Sequence, residues 1–87
     1  MHERTLMIDV MRHIERVAAA EGASRVTRID VRFGPLSHFT PEHFREHFVD
    51  AARGTVAEGA EVVAVLDADI ADERARDVIV ESVEVEI

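Results

Sequence analysis

Met1 and His2 place three nitrogen donors on two consecutive residues: the α-amine, the His2 amide once deprotonated, and the His2 imidazole. Bound to one ion, they close adjacent five- and six-membered chelate rings, a nitrogen set that suits square-planar nickel(II) or copper(II). The amine and the imidazole must first lose protons, so such binding is pH-dependent, and the amine must be free. Taken alone, His2 reads as readily as an exposed side chain at a chain terminus, where order is commonly lost. Both readings stand on this residue by itself.

A second pair of imidazoles, His43 and His47, is four residues apart. On a helix this spacing puts both rings on one face, where they can share a metal, with Glu42 or Glu46 adding a carboxylate. Such pairs are more often a solvated flank beside an apolar stripe. His38 falls in a loop and reads as exposed, and His13 borders an apolar helical stripe as a packing or rim residue. The acidic stretch from Asp67 to Asp77 lacks the glycine and alternating oxygen ligands of an EF-hand and reads as a solvated hairpin connection. Glu81, Glu84 and Glu86 read as strand-surface charges.

The elements that must carry these residues follow from hydrophobic periodicity. Leu6, Val10, Ile14 and Val17 recur at helical spacing, widened by Met7, Met11 and Ala18, and Gly22 supplies a C-terminal cap, so a first helix is expected over about residues 4–21. The period then falls to two. Thr27, Ile29, Val31 and Phe33 point one way and Arg28, Asp30 and Arg32 the other, as in a half-buried strand ended by Gly34-Pro35.

A second helix starts with Thr40 as cap, Pro41 in the first turn and Phe39 stapled onto Phe44. It runs to about Ala52, burying Phe44, Phe48 and Ala51, with Glu42, Arg45, Glu46 and Asp50 toward water. Two more strands are expected, Ala60 to Leu66 and Val78 to Ile87, the latter with Val83, Val85 and Ile87 inward. If the first and third strands are neighbours, Arg28 and Arg32 meet Glu84 and Glu86 across the ladder. The expected fold is α+β: two helices on one face of a three-stranded sheet, in the order α-β-α-β-β.

With 87 residues the chain has room for one hydrophobic core, and residues 1–87 read as a single small domain. Apolar residues make up 47% of it, enough for a packed globule. Eighteen acidic residues against ten basic ones, all arginine, leave a charge of -8 that repels phosphate backbones and anionic lipid. Nucleic acid and membrane are therefore not expected partners. No cysteine is present, which removes disulfides, thiolate zinc sites and a cysteine nucleophile. Neither a signal-type apolar segment nor a transmembrane-length run appears, so the cytoplasm is the expected location.

Met1-His2-Glu3 with Leu6-Met7, Arg25-Val26-Thr27-Arg28 and Gly34-Pro35-Leu36-Ser37 resembles the opening of the HypA/HybF nickel-insertion proteins of hydrogenase maturation. Thr40-Pro41-Glu42, Phe44, Phe48, Gly54-Thr55, Ala57-Glu58-Gly59-Ala60-Glu61-Val62 and Val83-Glu84-Val85-Glu86 continue that pattern in the same order. The likeness covers residues 1 to about 65 and again about 78 to 87.

The resemblance implies that His2 is the nickel ligand and that Glu3 helps complete the site, in part through its backbone. It also implies a metallochaperone and not an enzyme, one that passes nickel to a hydrogenase large subunit or to a nucleotide-hydrolysing maturation partner. The chain departs from the family pattern where relatives carry two CxxC-type pairs holding a structural zinc. Asp67 to Asp77 stands in that place, so nickel(II) is expected and zinc is not. The rival expectation is a metal-free interaction module of the same fold, acting in hydrogenase assembly or regulation. The edges of so short a sheet also offer themselves to a second copy, so a homodimer is a further expectation.

Overall fold

The structure, a computed structural model, describes residues 2–34, 39–66 and 78–87, with the side chains of residues 2, 3 and 66 outside that description. Met1, residues 35–38 with His38, and residues 67–77 lie outside the described residues. The elements run α1 (His2–Ala20), β1 (Arg25–Phe33), α2 (Pro41–Ala52), β2 (Glu61–Leu66) and β3 (Val78–Glu86). The expected α-β-α-β-β order and α+β class are those observed.

Helix α1 forms because Met7, Val10, Met11, Ile14 and Ala18 repeat at intervals of three and four and are all buried. Leu6 and Val17 only border this stripe, and His13 is exposed on the far side. Gly22 ends the helix as expected, at a φ of 65°. Its N–H donates to the Ala19 carbonyl at 3.1 Å while the Ala23 N–H donates to Ala18 at 2.9 Å, the paired bonds of a Schellman stop.

Helix α2 also follows its sequence signals. Thr40 Oγ1 accepts the His43 N–H at 3.1 Å, Pro41 opens the first turn, and the Phe39 and Phe44 rings meet edge-on at 6.2 Å across the cap. Its buried face is Phe44, Phe48 and Ala52; the expected Ala51 is only half-buried, because one further step of four from Phe48 reaches Ala52.

The sheet order is β2-β1-β3. Strands β1 and β2 pair in parallel, which is the geometry a crossover helix between them requires, and α2 is that helix. Strand β3 pairs with β1 antiparallel, as expected for neighbours. The expected hairpin between the last two strands is corrected: β2 and β3 flank β1 and do not pair with each other. The central strand carries the core, with Val26, Ile29, Val31 and Phe33 buried and Phe33 meeting Phe44 edge-on at 5.5 Å.

Two irregularities shift the expected β register. Between Val26 and Arg28 the partners pass from Val85 to Glu84, leaving Thr27 as an extra residue on β1. Val26 is therefore a core residue, and Thr27, expected inward, is half-buried with its hydroxyl donating to the Glu84 carbonyl at 3.3 Å. Between Asp30 and Val31 the partners pass from Ser82 to Val80, so Glu81 is extra on β3. Its Oε1 accepts from Arg32 Nε at 3.0 Å and Nη2 at 2.8 Å.

The expected pairing of Arg32 with Glu84 or Glu86 thus becomes a pairing with Glu81. Arg28 reaches Glu84 at 3.7 Å as expected, and Glu86 takes Arg25 at 3.5 Å. Ile87, expected inward, lies beyond the last paired residue and is 81% exposed.

Candidate metal centre

Helix α1 begins at His2, so the expected amino-terminal ligands stand at a helix start. The first four N–H groups of a helix have no intrahelical acceptor. The His2 amide nitrogen can therefore be deprotonated and coordinated without breaking a helix hydrogen bond. A carboxylate in the first turn offsets the charge of an incoming cation. Glu3 occupies that turn. Where the His2 and Glu3 side chains point, and where Met1 lies, are outside the described residues.

The second expected pair is brought together. The His43 and His47 rings lie side by side on α2 with centroids 5.0 Å apart and planes tilted by 49°. His43 is exposed and His47 half-buried. The expected carboxylate partners do not complete this pair: among the described residues no three His, Asp or Glu side chains converge on one point.

Phe39 is the residue that sequence reading missed here. Its buried ring contacts both imidazoles, His43 at 5.9 Å and His47 at 6.1 Å between centroids, while stapling Phe44 on its other side. Phe39 precedes the helix and its Thr40 cap, so helical spacing alone does not reveal this contact. Beside His47 the two helices leave a groove of about 660 Å³, lined on α1 by Arg4, Met7, Ile8 and Met11 and on α2 by His47 and Asp50 among others. Arg4, two residues beyond His2, thus shares a groove with His47.

On the opposite face of the sheet, charge is already satisfied locally. Ser82 Oγ donates to Asp30 Oδ2 at 2.6 Å and Arg28 Nε donates to Asp30 Oδ1 at 2.8 Å. Together these bonds hold the Asp30 carboxyl below the usual aspartate range, the Ser82 bond contributing most. This is a structural network across β1 and β3 and not a ligand set.

A sequence model of the family described as hydrogenase/urease nickel incorporation, metallochaperone, HypA matches residues 1–71. The hydrogenase maturation factor HypA of Chlorobium limicola is 39% identical over 62 residues, covering 71% of this chain and 53% of that protein. The HypA of Archaeoglobus fulgidus is 38% identical over 71 residues, 80% of this chain and 64% of its own. That of Methylocella silvestris is 41% identical over 70 residues, 80% and 58%.

The chain spans about half the length of the curated relatives it matches. In three dimensions it is similar to the solution structure of the nickel metallochaperone HypA from Helicobacter pylori, with a TM-score of 0.81 over 97% of each chain and 14% identity. That likeness extends the shared fold across the whole sheet, including β3. Among the described residues no helix is long and apolar enough to cross a membrane.

Proposed function

The chain belongs to the HypA family of nickel-incorporation metallochaperones, and on that premise we propose that it carries nickel(II) at Met1, His2 and Glu3 for maturation of a nickel enzyme, in the first place [NiFe]-hydrogenase. The observation that carries this reading is His2 at the head of α1, inside a family match that begins at the first residue. The Met1 amine, the His2 amide and the His2 imidazole bind the ion in a plane, and Glu3 completes the site.

The chain acts in the cytoplasm as a carrier and not as a catalyst. It hands its ion to the hydrogenase large subunit or to a nucleotide-hydrolysing maturation partner, and any nucleotide hydrolysis belongs to that partner. With no cysteine to form a thiolate zinc site, residues 67–77 stand in the place of the zinc subdomain, and no zinc is required.

The test is transfer. His2→Ala is expected to abolish nickel transfer to the large subunit while leaving the fold and partner binding intact. Unchanged transfer would favour the second reading, a metal-free interaction module of the same fold. That reading is supported by the lack of every thiolate ligand.

A further inference from the structure

We propose that His43 and His47, held by Phe39, form a second binding site for one divalent transition-metal ion, separate from the amino terminus. The proposal stands on α2 and the residue that packs over its start, and does not depend on the nickel-carrier reading.

The ring separation fits a shared ion. A metal about 2.0–2.1 Å from an imidazole nitrogen lies roughly 3.2 Å from the ring centre, so ligand angles from square-planar cis to tetrahedral put two centres about 4.5–5.2 Å apart. The observed 5.0 Å falls inside that interval. The 49° tilt leaves the rings out of face-to-face stacking, which would aim both nitrogens outward along parallel lines.

Preorganisation is the second observation. A pair of surface histidines ordinarily loses rotamer freedom when it closes on a metal, and that loss weakens binding. Here the Phe39 ring lies against both imidazoles, at 5.9 and 6.1 Å, and is itself fixed by burial and by its edge-on contact with Phe44. The α2 cap therefore fixes the pair: Thr40 and Pro41 start the helix, Phe39 packs back over it, and His43 and His47 stand beneath that ring.

Accessibility is the third. His43 is exposed, so an ion can reach the pair from solvent, while His47 faces the groove shared with α1. The His43-Phe44-Arg45-Glu46-His47 spacing matches the two metal-binding histidines of His-x-x-Glu-His metallopeptidase helices, where a third protein ligand completes a catalytic centre. Borderline cations that accept imidazole, nickel(II), copper(II) and zinc(II), are the chemical class the site takes.

The test uses the full chain carrying His2→Ala and one residue added before Met1, which removes the amino-terminal ligands. Nickel(II) calorimetry on that chain is expected to show one ion bound. Paramagnetic copper(II) should broaden the ring protons of His43 and His47 well before those of His13. His43→Ala and His47→Ala should each lose the site, and Phe39→Leu should weaken it roughly tenfold with helicity unchanged, in line with the effect of disturbing groups that orient metal ligands. Binding that survives both histidine variants, or broadening that falls equally on His13, would overturn the site. Affinity indifferent to Phe39→Leu would overturn its positioning by that ring.

Discussion

Arg45 Nη2 donates to the Val62 backbone carbonyl at 3.1 Å, tying α2 to the edge strand that follows it. Among the described residues strand β2 is paired only with β1, and an unpaired edge invites another strand. The guanidinium occupies one of that edge's acceptors and places a charge beside it. Arg45→Ala is expected to cost about 1 kcal/mol of stability, the net worth of one partly exposed hydrogen bond from a charged donor. It should also raise self-association, read by sedimentation velocity across a concentration series. A variant of unchanged mass and unchanged urea midpoint would show that the bond neither stabilises nor guards the edge.

The start of α2 gives a graded pair of predictions. Thr40→Ala removes the acceptor for the His43 N–H and should cost about 1 kcal/mol. Phe44→Ala empties a fully buried site that meets Phe33, Phe39 and Phe48, and should cost about 3–5 kcal/mol. Chemical denaturation of both variants checks the order; equal losses would contradict a core centred on Phe44.

Acid should act on the fold through Asp30. Its carboxyl is held below its usual range chiefly by the Ser82 hydroxyl and then by Arg28, so the folded state binds that proton less readily than the unfolded chain. The resulting stability is fully present above the unfolded value of about 3.9 and is lost as pH falls through the lower folded value. Asp30→Asn should therefore flatten the fall of the melting temperature below about pH 4. Ser82→Ala should move the Asp30 titration upward in a carboxyl-detected NMR experiment. An Asp30 titration indifferent to Ser82 would remove that hydroxyl as the leading cause.

Much of this architecture is legible in the residues themselves, because helices and caps are local. The steps of three and four from Met7 to Ala18, the glycine at 22 and the Thr40-Pro41 start each act within a few residues of chain. What was not legible depends on partners far away in sequence. Thr27 and Glu81 are extra residues in a ladder whose register is set by two strands together, so no periodicity within either one reveals them.

The misassignment of Arg32 to Glu84 or Glu86 follows from that register, as does the loss of Thr27 from the core. The parallel β1–β2 pairing was implicit in α2 lying between the two strands, but the placement of β1 between β2 and β3 was legible only in part, from the Arg28 and Glu84 charges. At the candidate metal ligands, sequence supplied the donor atoms of His2, His43 and His47. The contact of Phe39 with two imidazoles required the fold.

Calorimetric titration of nickel(II) into tag-free protein with its native Met1 reads the proposed amino-terminal nickel site. The titration is run beside His2→Ala and a variant with one residue added before Met1, all three carrying His43→Ala to silence the second pair. One ion is expected to bind at the native amino terminus and to be lost in both amino-terminal variants. Equal binding in all three, or none in the first, would contradict the amino-terminal site.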